Sequence, residues 1–155
     1  MHDVAIRDVA GFTIAGLAHR GSYAGIGATF GRMAALMQET GLGRHAREGV
    51  GVYHDSPAVV PAADLRAHAG CIVDADVPLP APFERVAVPG GRTAVLTLRG
   101  PYDAIPGAWD YLYATWLPAQ GEVPGDAAPY EVYLNDMGAV PPEALLTEIH
   151  VPLRG

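Results

Sequence analysis

The order of motifs in residues 4–77 returns in residues 83–155, and a duplication of this kind restricts the chain to folds that build one unit twice. At an offset of 79, Gly11/Gly90, Ala15/Ala94, Leu17/Leu96, Arg20/Arg99, Gly21/Gly100, Tyr23/Tyr102 and Ile26/Ile105 coincide. One residue inserted near Pro106 moves the offset to 80, after which Gly41/Gly121, Val52-Tyr53/Val132-Tyr133, Val60-Pro61/Val140-Pro141 and Leu65/Leu145 follow in order. Matches between Ala or Gly weigh little in a chain rich in both. The collinear series Arg-Gly-x-Tyr, helix, Val-Tyr, Val-Pro carries the argument.

Each half has the same local pattern. Short apolar or β-branched runs predict strands over residues 12–19 and 93–98, each closed by Arg-Gly. A helix follows. In the second half Pro106 suits a first helical turn, and Ile105, Trp109, Leu112, Tyr113, Trp116 and Leu117 fall on one helical face, with Pro118 and Gly121 as the stop. The first half carries Ile26, Phe30, Met33, Ala34 and Met37 at matching spacing, ended by Gly41 and Gly43. Strands over 50–54 and 130–135, then over 69–74 and 147–152, complete the units. Because the strands are joined by turns and not by repeated helical crossovers, the expected fold class is α+β. Two strand-helix-strand-strand units form an antiparallel sheet with two helices and a central ligand groove where the halves meet. Residues 1–155 are expected as one domain, with pseudo-repeats 1–77 and 83–155 joined by a stiff, proline-rich linker at 78–82.

Composition removes several functions. The net charge is -7, and the ten basic residues, all arginine, are scattered along the chain, so no direct nucleic-acid binding is expected. No run approaches the length of a membrane span, and the N-terminus lacks a secretory pattern, which predicts no membrane association and a cytoplasmic protein. Cys71 is the single cysteine, so an internal disulfide and a thiolate metal cluster are excluded. The six histidines show no His-x-x-x-His spacing, and no Gly-rich phosphate loop is present; neither a metal nor a cofactor is expected.

The run Tyr130-Glu131-Val132-Tyr133-Leu134-Asn135-Asp136, then Pro141-Pro142-Glu143-Ala144-Leu145-Leu146 and Thr147-Glu148-Ile149-His150-Val151-Pro152-Leu153, resembles the C-terminal signature of the GyrI-like small-molecule-binding domain. Trp116-Leu117-Pro118-Ala119-Gln120-Gly121 and Gly100-Pro101-Tyr102 fit the same pattern. That domain is also the effector-binding module of AraC-type and BmrR-type transcriptional regulators. The resemblance implies a pocket at the junction of the two units, lined by aromatic side chains, with a carboxylate that falls on Glu131. It implies a stand-alone member, since the two units use almost the whole chain. Three activities follow from the family. They are binding of hydrophobic, aromatic or cationic drugs and toxins, hydrolysis of cyclopropane-bearing cytotoxins with Glu131 as general base, and protection of, or contact with, DNA gyrase.

The residues themselves admit these roles. Alternation along residues 130–135 puts Val132 and Leu134 on a core-seeking face and Glu131, Tyr133 and Asn135 on the other. A carboxylate between tyrosines can attract a cation, although a solvated strand residue would look the same. Trp109, Tyr113 and Trp116 form a helical stripe expected to divide between groove and core. Tyr102 and Tyr23, at equivalent places before the helices, are expected either to wall the groove or to staple strand to helix. Glu148 and His150 share a face of the last strand, where an acid and an imidazole could act on one water.

Overall fold

The computed structural model describes residues 2–136 and 138–155. Eight strands run through the described residues: β1 (Asp3–Val9), β2 (Phe12–Arg20), β3 (Gly49–Tyr53), β4 (Arg66–Val73), β5 (Glu84–Val88), β6 (Gly91–Arg99), β7 (Tyr130–Tyr133) and β8 (Leu146–Pro152). Helix α1 is Ile26–Thr40. Its counterpart α2 starts as Ile105–Tyr111, passes through a π-helical turn at Leu112–Trp116 and ends as Leu117–Gln120. The six strand pairings described within the two units are all antiparallel, so the fold is α+β as expected.

Contacts divide the chain into two compact units: Gly11–Pro89, and Gly90–Gly155 together with the N-terminal residues up to Ala10. In the first, the strands lie in the order β3, β4, β2, β5. In the second the order is β7, β8, β6, β1, the same arrangement built from the repeat's equivalents. The edge strands β1 and β5 went unrecognised in the sequence. Their mostly exposed, charge-bearing residues give no apolar period, as suits sheet edges. Each is also exchanged between the repeats: β1 precedes β2 in the chain but pairs with β6, whereas β5 precedes β6 but pairs with β2.

In the first unit α1 lays Met33 and Met37 on a core with Ala15, Leu17, Leu42, Val73 and Phe83. The segment read as a linker packs here as well, since Leu79 lies against this cluster, as does Val77 just before the segment, and the Arg85 guanidinium donates to the carbonyls of Ala75 and Val77 at 2.6 Å. In the second unit Ala108, Leu112 and Leu117 of α2 pack on Ala94, Leu96, Leu98, Ile149, Val151 and Leu153.

The spacing of those helix residues explains the π turn. Leu112 and Leu117 are both fully buried yet five residues apart, one more than an α-helical turn brings back to the same face. In α1 the equivalent buried pair, Met33 and Met37, is four apart. Helix starts at Ile26 and Ile105 are offset by 79, and the C-terminal glycines Gly41 and Gly121, at φ 76° and 67°, by 80. The inserted residue therefore sits in the π turn and not near Pro106. Pro118, expected to stop the helix, is instead carried inside it. A widened turn before it removes the clash a proline makes with the carbonyl four residues back.

Candidate functional site

Glu131 is the middle of three consecutive buried residues on β7, with Tyr130 before and Val132 after, and only 4% of its surface is exposed. Register decides which way it points. Glu131 lies opposite Ile149, which belongs to the core cluster under α2, so its side chain is on the helix-covered face of the sheet. Val132 lies opposite Glu148 on the reverse face. The expectation that Val132 and Leu134 share the core-seeking face is thus corrected. Val132 is buried on the other side, and Leu134, beyond the end of β7, is 41% exposed.

Two neutral donors hold the carboxylate. The indole Nε1–H of Trp109, on the first part of α2, donates to Oε2 at 2.5 Å, and the Tyr133 hydroxyl, two residues along β7, donates to Oε1 at 2.5 Å. Both oxygens act as acceptors, and both of these donors are neutral groups. Burying a carboxylate in this way is costly unless its hydrogen bonds are made, and these two are charge-assisted ones.

Aromatic rings extend from this centre in two directions. Tyr113 stacks on Trp109 with ring centroids 5.9 Å apart and planes 12° from parallel. Tyr113 is 39% exposed, so this end of the stack reaches solvent. On the other side Tyr102 meets the Tyr133 ring at 5.7 Å and 60°. The Tyr102 phenol is pushed above its ordinary pKa by burial first, then by the charges of Asp136 and Glu131. Tyr102, Trp109, Tyr113, Glu131 and Tyr133 are therefore one constellation within a single unit. Trp116 is half-buried against the α2 core cluster. Tyr23 in the first unit spends its hydroxyl on a loop: it lies 2.8 Å from the carbonyls of Asp55 and Arg66 and accepts from the Asp55 amide at 3.1 Å.

Two features of this half were not read from sequence. Asp136 is one, placed near Tyr102 by the turn after β7. Thr147 is the other: it lies directly opposite Tyr133, and its fully buried hydroxyl has no hydrogen-bond partner among the described residues. A cross-strand neighbour such as Thr147 is set by register and leaves no local signal. Glu148 and His150 do meet, as expected. His150 Nε2 lies 2.9 Å from Glu148 Oε1 and its ring stacks on Tyr130 at 4.6 Å, on the sheet face opposite Glu131. That bond, followed by the imidazole and Arg7 charges, holds the Glu148 carboxyl below the usual carboxylate range against a smaller opposing effect of burial. Among the described residues no group of three or more His, Cys, Asp or Glu side chains is placed to hold a metal ion, and no helix is long and apolar enough to cross a membrane.

Comparison with known proteins places the chain in a family. Residues 2–154 match the family described as the GyrI-like small molecule binding domain. A DNA gyrase inhibitor of Yersinia enterocolitica is 38% identical over 89 residues, which cover 55% of this chain and 57% of that protein. The chain thus spans little more than half the length of that relative. Among solved structures, the EcmrR C-terminal domain superposes with a TM-score of 0.75 at 15% identity, covering 99% of this chain and 98% of that one. SAV2435 bound to tetraphenylphosphonium gives 0.75 at 13% identity, covering 99% and 94%. A putative transcription regulation protein from Staphylococcus aureus MU50 gives 0.71 at 13% identity, covering 99% of both chains. At these identities the structural likenesses establish the fold.

Proposed function

We propose that this chain, which belongs to the GyrI-like small-molecule-binding family, binds hydrophobic organic cations at Glu131 and so senses or sequesters aromatic drugs or toxins. The observation that carries the reading is the buried Glu131 carboxylate, held by Trp109 and Tyr133 within a run of rings. Aromatic faces attract cations and supply apolar area, and the ionised acid supplies the charge. The rings exposed at Tyr113 would form the entrance, and Tyr102 and Tyr133 the inner wall. The tetraphenylphosphonium seen on SAV2435, a protein of the same fold, makes that ion the natural first probe.

Water activation by Glu131, the catalytic alternative, asks one carboxylate oxygen to take a proton from water. Both oxygens already accept short hydrogen bonds, which suits holding a charge better than acting as a base. The Yersinia relative supports a separate reading, a contact with DNA gyrase, which a supercoiling assay with added protein tests.

Titration with tetraphenylphosphonium, followed by Trp fluorescence, tests the main proposal. Saturable quenching is expected, and Glu131→Gln should weaken it by about 10- to 100-fold, the worth of one charged interaction. Equal affinity in the two proteins would remove Glu131 from the site.

A further inference from the structure

On the sheet face of the first unit turned away from α1, three polar side chains from different parts of the fold form a line. His68 on β4 leans across β2 to reach Glu84 on β5, with Nε2 2.6 Å from Oε1. Gly16 on β2 leaves room for this: a Cβ there would stand 3.3 Å from both Cβ and Cδ2 of the His68 side chain. On the ring's other side Nδ1 lies 2.8 Å from Nε2 of His54, just past the end of β3. Neither the Arg-Gly-x-Tyr repeat nor the Glu131 site accounts for this line.

Its chemistry is directional. A carboxylate only accepts, so His68 donates Nε2–H to Glu84, and in the neutral ring Nδ1 is left as a lone pair. That lone pair is aimed at a second imidazole beside a cavity of about 410 Å³, lined by Ala18, His19, Arg20, His54, Arg66, Ala67 and His68. A carboxylate that fixes the tautomer of an imidazole and raises its donor strength is the arrangement found behind metal-bound histidines. Arg66, the cation nearest by sequence to this pair, is engaged by Asp55 through Nε and a terminal nitrogen at 2.9 Å.

We infer that His54 and His68 form a two-imidazole site for a borderline divalent transition metal such as Zn²⁺ or Cu²⁺, in which the ion takes the place of the proton now shared between the rings. Imidazole nitrogens suit these ions, and water from the cavity completes the coordination. Two nitrogens on one tetrahedral zinc stand about 3.3 Å apart. From 2.8 Å this needs a shift of about half an ångström and a tilt of the rings, which the exposed His54 is free to make. The sequence rule that found no metal site looks for donors one helical turn apart. Here fourteen residues separate two donors brought together by strand pairing.

The test is calorimetric titration of tag-free, chelator-stripped protein with Zn²⁺, with far-UV circular dichroism to check folding. One saturable equivalent is expected. His54→Ala and His68→Ala should each weaken it about tenfold or more, and Glu84→Gln, which leaves both ligands in place, about tenfold. His45→Ala should change nothing, and His68→Gln replaces His68→Ala if the latter fails to fold. Absence of saturable binding, or wild-type affinity in the folded His54 and His68 variants, would overturn the inference.

Discussion

The two units use the same frame to opposite ends. Tyr102 meets Tyr133 at 5.7 Å in one, and Tyr23 meets Tyr53 at 5.0 Å in the other. With the inserted residue assigned to the π turn, Trp109 corresponds to Phe30, and Glu131 to Gly51. Where one unit has its carboxylate, the other has no side chain, and that space is taken by its neighbours. A Cβ on Gly51 would stand 2.9 Å from the Tyr53 hydroxyl oxygen and 3.4 Å from the tip of the Phe30 ring. The comparison separates what the fold needs from what it merely carries. Gly51 shows that the frame closes without an acid, and a buried acid is a poor source of stability. The proposed binding role of Glu131 rests on that contrast.

The sharpest way to break this contrast is to put the acid into the wrong half. Gly51→Glu forces a carboxylate against Tyr53 and Phe30, with no indole N–H to receive it. We expect a loss of about 3 kcal/mol or more in urea unfolding, the cost of an uncompensated buried charge. A neutral result would mean the two positions differ less than their contacts indicate. Next in size is Trp109→Phe, which gives the second unit the first unit's residue. Loss of one charge-assisted hydrogen bond should cost about 1.5–3 kcal/mol, and the cost should shrink in a Glu131→Ala background. Equal costs in both backgrounds would show that the indole acts only by packing.

The smallest effect concerns pH. Glu148 is bonded to His150 in one unit, and the corresponding residue in the other is His68. The folded-state pKa of Glu148 is depressed, so its stabilisation is complete above the unfolded carboxylate range, near pH 4.3 or somewhat higher, and is lost as the pH falls through the lower folded value. Unfolding free energies measured across acidic pH should therefore fall less steeply in Glu148→Gln than in the wild type. An unchanged slope would remove this pair from the acid response.

Much of this frame was legible in the chain because a duplication repeats its own evidence. The six strands with apolar runs, both helices and their terminal glycines were placed by pattern, whereas Glu131 was singled out only through the resemblance of its strand to the family signature; of the rings named with it, Tyr102, Trp109, Tyr113 and Tyr133 form its constellation and Trp116 and Tyr23 lie elsewhere. Three kinds of feature were not. Edge strands β1 and β5 carry charges on mostly exposed residues, so no period marks them. The π turn appears only as a five-residue gap between Leu112 and Leu117, which a regular helical wheel absorbs without notice. Contacts across strands, such as Thr147 with Tyr133 or His54 with His68, depend on register and not on local spacing.

The account rests on the sign of the charge at Glu131, and one pair of ligands isolates it. Tetraphenylphosphonium and tetraphenylborate share size and shape and differ in charge. At about 6 Å and an effective dielectric constant near 20, one carboxylate attracts the cation by about 2.8 kcal/mol and repels the anion by as much, so that even after screening by solvent their affinities should differ by more than about a hundredfold. We expect wild-type protein to prefer the phosphonium by at least that factor, and Glu131→Gln to lose most of the preference. Comparable affinity for both ions in the wild type, or a preference that survives Glu131→Gln, would contradict the account.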